Sequence, residues 1–193
     1  MAISTTHAAI ERRFAALPTG LQAHVRRAQA MARELAPFHR IPPDRASMAT
    51  LAHDLARATR LEDLLSEAKR LGVPIDPVDL HTPLLLLGPV AAAVLRQEDG
   101  VDDAELLEAV RWHTTAFVGM GNLAKLVFIA DKLDPEKANR YPFGKELYGL
   151  ATADLDAGVA FFLQHQLADL LRQGEPLHPR AVEAWNAFTQ SAT

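Results

Sequence analysis

The sequence predicts an all-α protein. Ala, Leu, Glu and Arg dominate it, runs of β-branched residues are scarce, and apolar residues recur at helical spacing. A first core helix is expected after Pro18-Thr19-Gly20, running to about Ala36 with Leu21, His24, Ala28, Met31 and Leu35 along one face. Pro37 and Pro42-Pro43 break the chain, and Asp44 is the expected N-cap of the next helix, which carries His53 and Asp54. A helix over about Leu61–Leu71 stops at Gly72-Val-Pro74. A loop punctuated by Pro77 and Pro83 then leads into an apolar helix ending at Gln97. The turn at Asp99-Gly100 precedes a helix that ends near Trp112. The loop His113–Gly119 follows it, and then the helix that carries Asp131. Asn139–Gly144 reads as a mobile stretch that could close over a substrate. A long helix over about Leu155–Arg172 and a short one after Pro179 complete the chain.

With 193 residues the chain suits one domain with a real core. Lys and Arg number 20 against 24 Asp and Glu, a net charge of −4, which argues against broad binding to nucleic acid or an anionic membrane. There is no cysteine, so disulfides, thiolate zinc sites and cysteine nucleophiles are excluded, and His, Asp and Glu remain as metal ligands. The N-terminal residues show no basic start or apolar signal core, and the apolar stretch Pro83–Leu95 is too short to span a bilayer. The expectation is a soluble, cytoplasmic protein.

Chemistry concentrates at His53-Asp54, two titratable neighbours inside the apolar segment Met48–Arg57. A buried, unpaired carboxylate is very costly, and the cost is offset by a cation or an ion pair. His24, His113 and Asp131 are the candidates to complete a metal shell. Adjacent helix residues point about 100° apart, so His53 and Asp54 reach one ion only at a bent or frayed turn. A mixed set of imidazole and carboxylate ligands suits Fe, Mn, Co, Ni or Zn. The structural alternative is a group of hydrogen-bonded core histidines, with Asp54 capping or pairing with Arg57 or Arg60. His7, His39, His165 and His178 read as surface positions, and His81 as a solvated loop residue.

Six stretches carry a family resemblance: His24-Val-Arg-Arg-Ala, Leu51-Ala-His-Asp-Leu-Ala-Arg57, Thr82-Pro-Leu-Leu-Leu-Leu-Gly-Pro-Val90, Ala109-Val-Arg-Trp-His-Thr-Thr115, Ile129-Ala-Asp-Lys132 and Asp154-Leu-Asp-Ala157. In this order, over about residues 20–160, they resemble the HD-domain metal-dependent phosphohydrolases, and more closely the YqeK-type symmetrical bis(5'-nucleosyl)-tetraphosphatases. The resemblance implies an HD-domain helical bundle over 19–160, with 1–18 as an N-terminal extension and 161–193 as C-terminal helices packed on the same domain. It implies that His24, His53, Asp54 and Asp131 hold one divalent metal ion, with iron the expected native metal, and that Asp54 bridges towards a second ion held by His113. The family pattern has a histidine where this chain has Leu87, so the second site has lost a protein ligand and is weak, absent, or completed by water or substrate phosphate. Arg57 stands in place of the usual lysine, and Ala116 in place of a glycine.

The implied reaction splits diadenosine tetraphosphate into two ADP. Asp54 and His113 are the expected catalytic residues, and Arg57, Thr114, Thr115 and Lys132 the expected substrate contacts. Two alternatives stay open: a one-metal HD phosphohydrolase acting on another nucleotide, and a degenerate, non-catalytic binding protein. Val159, Phe161, Phe162, Leu167, Leu170 and Leu171 on the long C-terminal helix pack either on the core or on a second subunit in a homodimer.

Overall fold

The computed structural model describes residues 2–191. Among these the chain forms eleven α-helices with short 3-10 turns between some of them, and no strand. Helix α1 (Ala2–Ala15) leads through Leu17 and Pro18 into α2 (Thr19–Leu35), where the Gln22 amide donates to the carbonyls of Ala15 and Leu17 and fixes the turn. Ile10, Phe14 and Leu17 are buried in the same cluster as Val25, Ala32 and Leu35 of α2, so α1 contributes to the core. Helix α3 (Pro43–Ala52) starts with a proline in its first turn, where a missing N–H costs nothing. Asp44 is not its N-cap as expected. Pro42 holds that position, and Asp44 sits within the first turn, bonded to Arg33 at 2.9 Å, with its charge facing the positive end of the helix dipole.

Helix α4 (Leu61–Arg70) ends as expected at Gly72, whose φ of 65° suits a glycine. The proline-rich connection is more ordered than a loop. It contains a one-turn helix α5 (Pro77–His81), opened by a reciprocal cap between Asp76 and Asp79, and a 3-10 turn over Pro83–Leu86. Helices α6 (Leu87–Gln97) and α7 (Ala104–Trp112) form an antiparallel pair. Their approach is close at Gly88, where an added Cβ would lie 2.5 Å from the Arg111 carbonyl oxygen and 2.8 Å from that of Val110.

Helix α8 (Asn122–Lys132) is the centre of the bundle. Every residue from Leu123 to Lys132 is buried, and α2, α3, α7 and α10 all pack against it. Helix α9 (Gly144–Ala153) precedes the long α10 (Leu155–Gln173) and α11 (Pro179–Ser191). On α10, Val159, Phe162 and Leu167 face the core, Phe161 and Leu170 are half-buried, and Leu171 is 65% exposed. Asn139–Gly144 is anchored by its aromatics. Tyr141 meets the Phe162 ring edge-on at 5.1 Å, and Phe162 meets Phe128 of α8 in the same way at 5.4 Å.

The start of α7 is tied to α3 through Arg45, which pairs with Asp103 and with Glu105 at 3.1 Å. Asp103 caps α7 by accepting from Leu106 N–H and receives both ends of the Arg45 guanidinium. The Arg45 hydrogen bonds hold the Asp103 carboxyl below its ordinary value, against the opposing effect of partial burial. A depressed carboxyl pKa stabilises the fold above the unfolded-state value of about 4, and this contribution is lost as pH falls through the lower folded-state value. Asp103→Asn is therefore expected to lower Tm near pH 6 and to flatten the decline of Tm between about pH 5 and pH 2. Thermal melts across that range check it, and parallel acid limbs for the two proteins would contradict it.

Candidate metal centre

The local breaks in helices α3 and α7 build the site. Helix α3 stops at Ala52, His53 forms its C-cap, and Asp54 turns out of the helix with φ −106° and ψ 20°. This bend lets two consecutive side chains face one point. His113 is the C-cap of α7 in the same way. Each of these two imidazoles bonds the carbonyl three residues earlier: His53 Nδ1 to Thr50 O at 2.6 Å and His113 Nδ1 to Val110 O at 2.7 Å. A carbonyl only accepts, so Nδ1 carries the hydrogen and Nε2 keeps its lone pair for the centre. His24, midway along α2, is set differently, with Nδ1 2.5 Å from Asp134 Oδ2.

The Nε2 atoms converge with two carboxylates. His24 Nε2 lies 3.1 Å from Asp131 Oδ1 and 3.6 Å from Asp54 Oδ2. His53 Nε2 lies 3.5 Å and 3.6 Å from the same two oxygens, and His113 Nε2 lies 3.5 Å from Asp54 Oδ1. Two overlapping ligand groups result: His24, His53 and Asp131 in one, His53, Asp54 and His113 in the other, with the donor atoms of each group within 4.8 Å of one another. All five residues named from the sequence are brought together. Asp54 faces histidines, and its side chain pairs with neither Arg57 nor Arg60.

The donor set fits a divalent cation. The Nε2 atoms of His24 and His53 are buried and make no hydrogen bond, as expected for ligand nitrogens aimed at an ion. Charge points the same way. Burial alone would raise the Asp54 carboxyl, yet the charge attraction of His53 holds it well below the ordinary value. Burial likewise opposes ionisation of Asp131, and the ammonium groups of Lys132 and Lys137 outweigh it. Burial lowers His113 and keeps it neutral. At His53 burial also acts downward, but Asp54 and Asp131 overcome it and raise the imidazole. A proton at His53 feels the attraction that a metal ion would feel.

His24, Asp54, His113 and Asp131 line a cavity of about 630 Å³, and His53 is fully buried beside them. Of the expected substrate contacts, Arg57 is exposed at the cavity rim, and Thr114 donates to Leu85 O at 3.4 Å. Thr115 is buried in the wall with its hydroxyl unpartnered. Lys132 is committed inward: its ammonium donates to His113 O at 2.8 Å and Asp131 Oδ2 at 2.6 Å, and lies 4.6 Å from the centre of the Phe128 ring. Lys137 and Arg140 also line the cavity, and Lys137 bonds Asp131 through both its carbonyl and Oδ1. Neither these two cations nor Asp134 stands out in the sequence. Their one signal was position, three to nine residues beyond Asp131 on the same strand of chain.

Leu87 is 1% exposed at the start of α6, beside the Gly88 contact with Val110 and Arg111. His81 pairs with Glu175 at the surface. Ala116 adopts φ 62° while fully buried, which costs about 1 kcal/mol relative to glycine. Three histidines differ from expectation. His178 is 7% exposed, lines the cavity and has Nε2 3.6 Å from Asp79, because the 3-10 and capped turns of the proline-rich segment fold over it. His39 and His165 are half-buried, the first against Ala151 O and the second against Phe143 and Phe161.

An all-helical bundle with a His…His-Asp…Asp cluster at its centre defines a class, and residues 21–136 match the HD domain. The chain belongs to the HD-domain family, whose hydrolases are metal-dependent. Within that class it is similar to a symmetrical bis(5'-nucleosyl)-tetraphosphatase of Bacillus subtilis (strain 168), with 30% identity over 74% of this chain and 75% of the relative. It is also similar to the protein of the same description from Halalkalibacterium halodurans, with 26% identity over 79% and 80% of the two chains. The crystal structure of a predicted HD superfamily hydrolase involved in NAD metabolism from Clostridium acetobutylicum has the same fold. Its TM-score is 0.86 at 24% identity, covering 94% of this chain and 95% of the other. No helix among the described residues is long and apolar enough to cross a membrane.

If the cluster holds a divalent cation, Mn²⁺ or Co²⁺ at a hundredfold excess over Kd should stabilise the chain by about 2.7 kcal/mol. His53→Ala should lose that increment. Thermal melts with added metal or chelator read it directly, and an equal shift in both proteins would contradict the assignment.

Proposed function

We propose that this protein is a metal-dependent phosphohydrolase that splits diadenosine tetraphosphate symmetrically into two ADP, with iron as its native metal. The observation that carries the reading is the convergence of three imidazoles and two ionised carboxylates beside a cavity rimmed by cations. It sits in a chain similar along about three quarters of its length to a symmetrical tetraphosphatase. His24, His53, Asp54 and Asp131 would hold one tight cation. When bound, that cation supplies Lewis acidity, acidifying water and withdrawing charge from phosphoryl oxygens.

The chain's own residues do the rest. Asp54 is kept ionised by His53, and it accepts a hydrogen bond from the attacking water and so orients it. The water oxygen joins one central phosphorus as the bond from that phosphorus to the bridging oxygen breaks. One ADP leaves on the bridging oxygen, the other carries the oxygen from water, and a proton is released. Arg57, Lys137 and Arg140 stand where the polyphosphate enters, giving local positive charge on a chain of net charge −4. The Thr115 hydroxyl, buried and unpartnered, is available to donate to a phosphate oxygen.

Leu87 supports a second reading, a one-metal enzyme acting on another nucleotide, because a leucine supplies no ligand to the His113 side. Chromatography of products after incubation with diadenosine tetraphosphate separates the two. ADP as the sole product supports symmetrical hydrolysis. No turnover with iron, manganese or cobalt, alongside hydrolysis of a nucleoside mono- or triphosphate, would replace it with the second reading. A companion variant, Leu87→His, is expected to raise bound metal from about one to about two ions per chain and to increase activity. Unchanged stoichiometry by elemental analysis would count against Leu87 as the missing ligand.

A further inference from the structure

His24 differs from the other two histidines in what fixes its tautomer. Main-chain carbonyls fix His53 and His113, and a carbonyl has a single role. His24 depends on a side chain, the Asp134 carboxylate, which is 3% exposed and lies at the start of the 3-10 turn after α8. All four contacts of that carboxylate are made. Oδ1 accepts from Arg27 Nε at 2.6 Å and from Glu136 N–H at 3.1 Å. Oδ2 accepts from Arg27 Nη2 at 3.0 Å and from His24 Nδ1 at 2.5 Å. Arg27 lies one turn after His24 on α2, so the guanidinium holds the carboxylate and the carboxylate holds the imidazole.

We infer that Asp134 is a positioning residue for the metal centre. It keeps the hydrogen of His24 on Nδ1 and so presents an unprotonated Nε2 to the ion. It rests on the reading of the cluster as a metal site and makes no assumption about the nucleotide hydrolysed.

The hydrogen-bond pattern yields a sharp consequence for Asp134→Asn. The side-chain oxygen of asparagine is drawn to the Oδ1 position, where two obligate donors, Arg27 Nε and the Glu136 N–H, need an acceptor, against one, Arg27 Nη2, at the Oδ2 position. The amide N–H₂ then occupies the Oδ2 position and donates to His24 Nδ1. That forces the hydrogen onto His24 Nε2, the wrong tautomer for a ligand. The same substitution at a carboxylate acting only as a structural ion pair would weaken the fold without changing the tautomer.

The test uses the full chain. Long-range ¹H–¹⁵N correlation spectra of the metal-free protein near pH 8 report the tautomer of each histidine, and calorimetric titration with Mn²⁺ reports affinity. For Asp134→Asn, His24 is expected to change from the Nδ1–H to the Nε2–H form while His53 and His113 do not, and Mn²⁺ affinity is expected to fall by about 10- to 100-fold. Asp134→Glu should restore most of that affinity.

Arg27→Met provides the structural control. It should lower Tm but leave the His24 tautomer unchanged and Mn²⁺ affinity within a few-fold of the parent. If Asp134→Asn fails to fold, the parent spectrum carries the test: His24 found in the Nε2–H form in the metal-free parent chain would overturn the inference. Parent-like Mn²⁺ binding by a folded Asp134→Asn would overturn it as well, leaving the metal site itself intact. No Mn²⁺ binding by the parent chain would overturn both the metal site and the inference.

Discussion

Two carboxylates, Asp54 and Asp131, are held almost out of water and remain ionised, each 5% exposed. That constraint governs the rest of the centre. Isolated anions in such a place would cost several kcal/mol each, so cationic partners must surround them. The chain provides imidazoles on one side and the ammonium groups of Lys132 and Lys137 on the other. Those ammonium groups are tethered to main-chain carbonyls as well, and cover only part of the carboxylate surface. The buried, unbonded nitrogens of His24 and His53 face the part they leave uncovered.

The fold makes this arrangement affordable. Helix α8 is buried along its length and carries Asp131 into the centre as a rigid rod, while α2 and α7 bring one ligand each and the end of α3 brings two. Precision comes from places where helices stop. His53 and His113 each occupy a C-cap and bond back to the carbonyl three residues earlier, which fixes ring orientation at no side-chain cost. The strained left-handed Ala116 and the close backbone approach at Gly88 lie within a few residues of His113 on either side of the same helix pair. Strain collects where the chain must turn from a helix end into the cavity wall.

Much of this was legible in the sequence, for identifiable reasons. Helices α2, α4, α6, α7, α8 and α10 have clear apolar periodicity bounded by Pro, Gly or Asp, and the structure places them within a few residues of expectation. Titratable residues inside apolar helices, such as Asp131 among Leu126–Ala130, announced the centre. Helices α1 and α9 were not legible. Ala2–Ala15 mixes alanine, threonine and charge with few large apolar residues, and Gly144–Ala153 follows a Pro and contains glycine at its start and middle. His178 is surrounded by Glu, Pro and Arg, so its burial arises from the tertiary packing of the α5 segment and α11, which local pattern does not encode. Asp134 escaped notice because its role depends on partners more than 100 residues away, Arg27 and His24.

The central claim is physical: dry carboxylates and orphaned imidazole nitrogens here exist to hold a cation. A crystal structure of the protein soaked with Mn²⁺, with anomalous scattering recorded, tests it most directly. An anomalous peak within about 2.0–2.3 Å of His24 Nε2, His53 Nε2 and oxygens of Asp54 and Asp131 is the predicted result. A loaded crystal whose only peaks lie elsewhere, with the two nitrogens still unliganded, would contradict it.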